Sequence, residues 1–426
     1  MTPAKRRIPA VEGARGVAAL SVLTFHSLQA HGVGGPVAGR LWLGVPLFFV
    51  ISGFVLFKPF CAAILAGGER PSLHRYAWAR ALRIFPALWA MTAVALLVLY
   101  PSARGGVFLT GAVGIALASI LRPPRRASVR VSAYALAVAL GTAGVALATG
   151  ADPYSTTTAF DQFTLLQLFT LAKPVVLVGP VWTLCIEVGF YALLPFLALA
   201  MMRTAARTSR HRPAAVVLAS LAALAGFGLL YNQFMGWGYG LPTTVLGFLP
   251  QFAAGMALAV AVELRVFRSA GRQLLIAAAV VAAVALAIQN LGPANNTEGS
   301  GPLFGAAIAI AFALALAAVV LPERPLLLSQ ALSSRLLVWL GTISYGIYLW
   351  HYPVILWLGD HESTSTVAGL GLTIALTVAL AVLSWRAVES PAMQLQRRGL
   401  LSRRGAVAPE GPAAPARRTP APEATR

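Results

Sequence analysis

The residues best suited to chemistry in this chain are ionisable groups set where ionisable groups are costly. His26, Glu187 and His351 each fall inside a long apolar run, and of the 13 acidic residues only Glu187 lies well within one. Imidazole takes and gives protons near neutral pH, and a carboxylate can orient it or carry opposing charge. Either type can also simply tie helices together by hydrogen bonds. Spacing adds to the case. His26 follows Arg15 by three helical turns, about 16 Å along one helix face. Glu187 and His351 each lie about 24 Å from the nearest basic flank, at Arg203 and Arg335, in a hydrocarbon core about 30 Å thick. The three groups can therefore meet in the middle-to-outer part of one layer. A second constellation is basic: Arg80 and Arg83 stand one turn apart, with Arg75 and Lys58 near. Their forked donors suit a phosphate, although the same charges serve as ordinary membrane-flanking residues.

These groups need elements that hold them at depth, and composition says which. Of 426 residues, 58% are hydrophobic and 11% charged, where a soluble domain has about 25% charged residues. Lipid must be the solvent for most of this surface. Apolar runs of helical length occur near 14–31, 42–63, 86–100, 107–121, 131–150, 175–202, 214–231, 244–263, 273–291, 303–321, 336–359 and 367–387. The expected fold is an all-α, polytopic transmembrane helix bundle of about ten to twelve spans. Basic residues before the first run (Lys5, Arg6, Arg7) lack a convincing cleavage site after it, so that run is read as a retained helix.

Charge sets the expected orientation. With the N-terminus inside, the outer segments keep only Arg40, Arg104 and Lys173 of the 33 Lys and Arg residues. Both termini are then cytoplasmic. The net charge of +20 is dispersed in short clusters between apolar runs rather than gathered in one patch, which argues against nucleic acid as a partner. The two cysteines, Cys61 and Cys185, are far apart, show no metal-ligand spacing and are not expected to pair, so no metal is assigned. Nothing resembles a Walker loop. Residues 1–395 read as one membrane domain and 396–426 as a disordered basic, Pro- and Ala-rich tail.

Several segments, in order, resemble one family. They are Val11-Glu12-Gly13-Ala14-Arg15-Gly16 with His26; Gly44-Val45-Pro46-Leu47-Phe48-Phe49-Val50-Ile51-Ser52-Gly53-Phe54; Arg80-Ala81-Leu82-Arg83-Ile84-Phe85-Pro86; and Val181-Trp182-Thr183-Leu184-Cys185-Ile186-Glu187 with Phe190-Tyr191. The last is Ile343-Ser344-Tyr345-Gly346-Ile347-Tyr348-Leu349-Trp350-His351-Tyr352-Pro353. Together they resemble the acyltransferase 3 family of membrane acyltransferases, which act on sugars and related acceptors.

The resemblance implies His26 as the catalytic residue, Arg15 as required beside it, and Arg80 and Arg83 as the donor-binding pair. Glu187 is a candidate to orient or charge-stabilise His26. Ser52, Trp182, Tyr345, Tyr348 and His351 occupy family motifs with a substrate-binding or structural role. The implied donor is acyl-CoA, acetyl-CoA first among them, used as co-substrate rather than a bound cofactor. The acceptor would be a hydroxyl of a sugar, envelope glycan or macrolide-type metabolite, and the setting a bacterial inner membrane. Two departures stand out: Pro46 replaces an acid common in relatives, and the hairpin near 107–150 reads as an insertion into the family's core of about ten helices, for about twelve spans in all; no soluble domain is expected after the last span. Acceptor handling is then expected within the membrane domain or its outer loops. The rival reading is a transporter or flippase, but no inverted repeat or paired broken helix is visible.

Overall fold

The computed structural model describes residues 8–67, 70–99, 179–208, 212–235, 244–291, 301–361 and 366–395, with isolated positions between 112 and 165. The expected hairpin at 107–150, apart from isolated positions, and the tail at 396–426 lie outside the described residues. Twelve α-helices occur in the described residues, with no strand among them. They are α1 (Pro9–Ala30), α2 (Gly44–Ala66), α3 (Leu73–Leu99), α4 (Trp182–Thr208), α5 (Pro213–Met235), α6 (Leu249–Glu263), α7 (Gly271–Leu291), α8 (Pro302–Val320), α9 (Leu327–Leu332), α10 (Arg335–Thr342), α11 (Ser344–His361) and α12 (Thr366–Ser384).

Among the described residues, five helical stretches are long and apolar enough to cross a membrane: Ala38–Ala66, Gly179–Thr208, Pro213–Met235, Pro302–Val320 and Val367–Leu395. The protein is thus the polytopic all-α bundle its composition calls for. Helices α1 and α3 fall outside that apolar set. The first carries Glu12, Arg15 and His26, and the second Arg75, Arg80 and Arg83. Large apolar side chains face outward, such as Phe196 at 71% exposure and Leu303 at 75%, which is the expected lipid side of a membrane bundle.

Backbone-to-backbone seams place the site. A methyl group at Gly13 would land on the Leu332 carbonyl, and one at Gly341 on the Glu12 carbonyl. Gly16 is close as well, a methyl there coming to 2.8 Å from the Leu337 carbonyl and 2.9 Å from the Gly341 nitrogen. Residues this small let helix axes approach closely, so α1 lies flush on α10 and delivers its polar face to the start of α11. A second seam joins α2 to α6, where Gly53 meets the Phe252 carbonyl and Gly255 the Val50 carbonyl. Phe190 of α4 stacks on Phe252 at 3.8 Å between ring centroids, locking α4 to the same layer.

Two boundaries differ from the sequence expectation in ways that matter. Helix α3 begins at Leu73, so Arg80 and Arg83 lie within it rather than ahead of the third span. Arginine is a good helix former, and an apolar-run criterion cannot see the polar turns preceding that run. The run expected at 336–359 is broken at Ile343 into α10 and α11. The break follows the tight Gly341 contact and lets α11 start in a new direction with Ser344 at its first position.

Candidate active site

At one end of the site two imidazoles meet. His26, from α1, and His351, from α11, approach with Nδ1 of the first 3.2 Å from Nε2 of the second. Their ring centroids are 5.1 Å apart. His351 has no exposed surface, and Tyr352 packs its ring edge-on to His26 at 5.8 Å.

Carbonyl neighbours fix the tautomers. His351 Nδ1 lies 2.6 Å from the Tyr348 carbonyl, and a carbonyl oxygen can only accept. That nitrogen therefore carries the proton, and Nε2 of a neutral His351 is an acceptor. His26 Nδ1 faces two acceptors, this Nε2 and the Val22 carbonyl at 3.1 Å. It therefore carries hydrogen as well, leaving His26 Nε2 with its lone pair and no hydrogen bond among the described residues. Such an imidazole is a base at Nε2, held in orientation from Nδ1. Here the orienting group is a second imidazole, where a carboxylate does that work in a Ser-His-Asp triad.

Glu187 takes another place. From α4, its Oε1 accepts from Ser52 Oγ at 3.1 Å and from the Tyr191 hydroxyl at 2.5 Å. No hydrogen bond among the described residues joins it to His26. It lines a pocket together with Arg15, Ser52, Thr183, Ser344, Tyr345 and Tyr348. Tyr348 is fixed by donating to the Pro180 carbonyl at 2.8 Å, with Thr183 Oγ1 2.5 Å away. Trp182, at the start of α4, packs on Phe248 with centroids 5.9 Å apart.

The basic pair connects to this pocket through aromatic rings. The Arg80 guanidinium lies 5.7 Å from the centre of the Tyr191 ring, and Arg83 lies 5.2 Å from that of Tyr345. Tyr345 in turn donates to the Ile84 carbonyl at 2.7 Å, tying α11 to α3. Arg83 also makes an ion pair with Glu389 Oε2 at 3.1 Å, with only 2% of the glutamate side chain exposed.

Glu389 is a site-adjacent charge that reading the sequence does not single out. It follows the last apolar run by two residues and looks like an ordinary flanking charge there. A π-helical turn at Trp385–Glu389 interrupts the helical stretch Val367–Leu395 after α12, and the carboxylate there is buried, where the Ser384 hydroxyl donates to it at 3.4 Å. Tyr191 and Ser344 were visible only as motif members, and their positions on the pocket wall come from the packing of α4 and α11.

Comparison with known proteins places the chain in a family. The acyltransferase domain model of the acyltransferase 3 family matches residues 8–386, nearly the whole chain. The chain belongs to the acyltransferase 3 family. This acyltransferase is 28% identical over 408 residues to nodulation protein 10 of Rhizobium leguminosarum bv. viciae, covering 92% of this chain and 94% of the relative. It is 24% identical over 405 residues to the peptidoglycan O-acetyltransferase OatA of Listeria monocytogenes, spanning 91% of this chain but 56% of that protein. A shorter stretch of 86 residues is 40% identical to a putative peptidoglycan O-acetyltransferase, YrhL, of Bacillus subtilis, covering 20% of this chain and 13% of that one. No solved structure matches significantly.

Proposed function

We propose that this acyltransferase is a multi-pass enzyme of the bacterial cytoplasmic membrane that moves an acyl group, acetyl first, from acyl-CoA to a hydroxyl of a glycan or related acceptor. The observation that carries this reading is the His26–His351 contact, which leaves His26 Nε2 as an oriented base. The relatives support the acetyl group and a cell-wall glycan as acceptor class, since two of them are named as peptidoglycan O-acetyltransferases.

In this scheme Arg80 and Arg83 hold donor phosphates at the cytoplasmic mouth, and the thioester reaches inward toward His26. His26 Nε2 takes the proton of the acceptor hydroxyl as its oxygen attacks the thioester carbonyl. The resulting imidazolium is stabilised through Nδ1–H by His351 Nε2. That attack forms the new C–O bond; collapse of the tetrahedral intermediate then re-forms the carbonyl, breaks the C–S bond, and returns the proton from His26 to the leaving thiolate. Arg15 adds positive charge along the same face of α1.

The test is thiol release by the purified full-length protein with acetyl-CoA and candidate glycan acceptors. Release by wild type that falls at least about a hundredfold in His26→Ala supports the scheme. Near-normal turnover by a folded His26→Ala protein refutes it.

A further inference from the structure

The pocket between the histidine pair and the arginine pair has an unusual electrical layout. Arg15 and Glu187 both line it, yet no ion pair within 4.0 Å joins them among the described residues. Arg15 Nε is buried without a hydrogen-bond partner, and so is Ser344 Oγ, on a side chain with no exposed surface. Glu187 spends Oε1 on Ser52 and Tyr191, leaving Oε2 without a hydrogen bond among the described residues. Buried polar atoms in native proteins are almost always satisfied. Two unpaired donor groups and a spare carboxylate oxygen on one small pocket describe a ligand carrying an acceptor and a donor side by side.

We propose that this pocket binds a secondary amide of a substrate, its carbonyl accepting from Arg15 and Ser344 and its N–H donating to Glu187. This rests on the donor scheme above for its choice of molecule, because the pantetheine arm of acyl-CoA carries secondary amides between thioester and phosphates. Position agrees. Ser344 precedes His351 by about 10 Å along α11, and Arg15 precedes His26 by about 16 Å along α1. Those two donors stand about two to three helical turns from the imidazoles, too far to hold the reacting carbon themselves, while Tyr348 carries the pocket wall up to His351. The pocket adjoins Tyr191 and Tyr345, on which Arg80 and Arg83 rest. Order along the path is then phosphates, amide, thioester. An N-acetylated sugar acceptor offers the same amide chemistry, so the test must separate the two sources.

Ser344→Ala removes one unpaired hydroxyl and no existing bond. The full-length variant is assayed for thiol release with acetyl-CoA and, as an amide-free donor, S-butyl thioacetate. Acceptors are an N-acetylated amino sugar and a sugar without the amide. Thr377→Val, which removes another buried hydroxyl without a hydrogen-bond partner, on α12, is the control. The expected result is a donor KM raised about three- to tenfold for acetyl-CoA at unchanged kcat, and unchanged for S-butyl thioacetate. A rise confined to the KM of the N-acetylated acceptor supports amide recognition and assigns it to the acceptor. Equal kinetic constants for Ser344→Ala and wild type on every substrate overturn the inference. Absence of wild-type turnover with any acyl-CoA would instead overturn the donor scheme itself.

Discussion

Replacing His351 with phenylalanine tests the imidazole pair directly. The side chain is fully buried, and a phenyl ring fills most of its volume while removing the Nε2 acceptor 3.2 Å from His26. Before reaction the lost bond joins two neutral rings and is worth about 1 kcal/mol. Once His26 carries the acceptor's proton, the same bond is charge-assisted and worth about 1.5–3 kcal/mol. Only the difference, roughly 0.5–2 kcal/mol, acts on kcat, because catalysis reflects what strengthens between ground and transition state. His351→Phe should therefore lower kcat about two- to thirtyfold with little change in donor KM. The 3.2 Å separation is long for such a bond and favours the lower end. The decisive measurement is the double-mutant cycle. If His351 acts through His26, its substitution has no further effect in a His26→Ala background, where the base is already gone. The assay is steady-state thiol release by detergent-purified proteins that elute as one species and melt within a few degrees of wild type. Equal fold losses in both backgrounds, or full activity in folded His351→Phe, would refute the reasoning.

Three further outcomes follow from other parts of the molecule. Arg83→Ala strands the buried Glu389 carboxylate and should cost about 3–5 kcal/mol of stability, seen as a clear drop in melting temperature. Arg80→Ala is not expected to produce such a drop, so its activity loss can be read as lost donor binding. By contrast, the Arg268–Glu323 pair at 2.7 Å leaves 51% and 63% of its side chains exposed, and Glu323→Gln should shift stability by less than about 1 kcal/mol in the same melts. Gly16→Leu should abolish folding and activity together by forcing α1 off α10, whereas Gly226→Ala, in open space on α5, should be neutral or stabilise by up to about 1 kcal/mol. Expression level and melting temperature in detergent distinguish the two.

The sequence alone determined that this is an all-helical membrane protein, because hydrophobic length and the scarcity of charge are local properties that lipid reads directly. It also picked out the residues most costly to bury, and with them the motif spacing that marks the family. Arg15 and His26 share a helix face by period alone. Tertiary structure decided which of those residues touch. Depth along separate helices lets His26, Glu187 and His351 meet but cannot say which of them touch; packing sets His351 against His26 and joins Glu187 to Ser52 and Tyr191. That outcome depends on the Gly13, Gly16 and Gly341 seam, which sets how α1 meets α10, and on the break at Ile343, which aims α11. The pairing of Arg83 with Glu389 is of the same kind. Some 300 residues separate them, and the carboxylate sits buried in a π-helical turn. Such relations are set by rotations of rigid helices about their axes, to which composition and periodicity are blind.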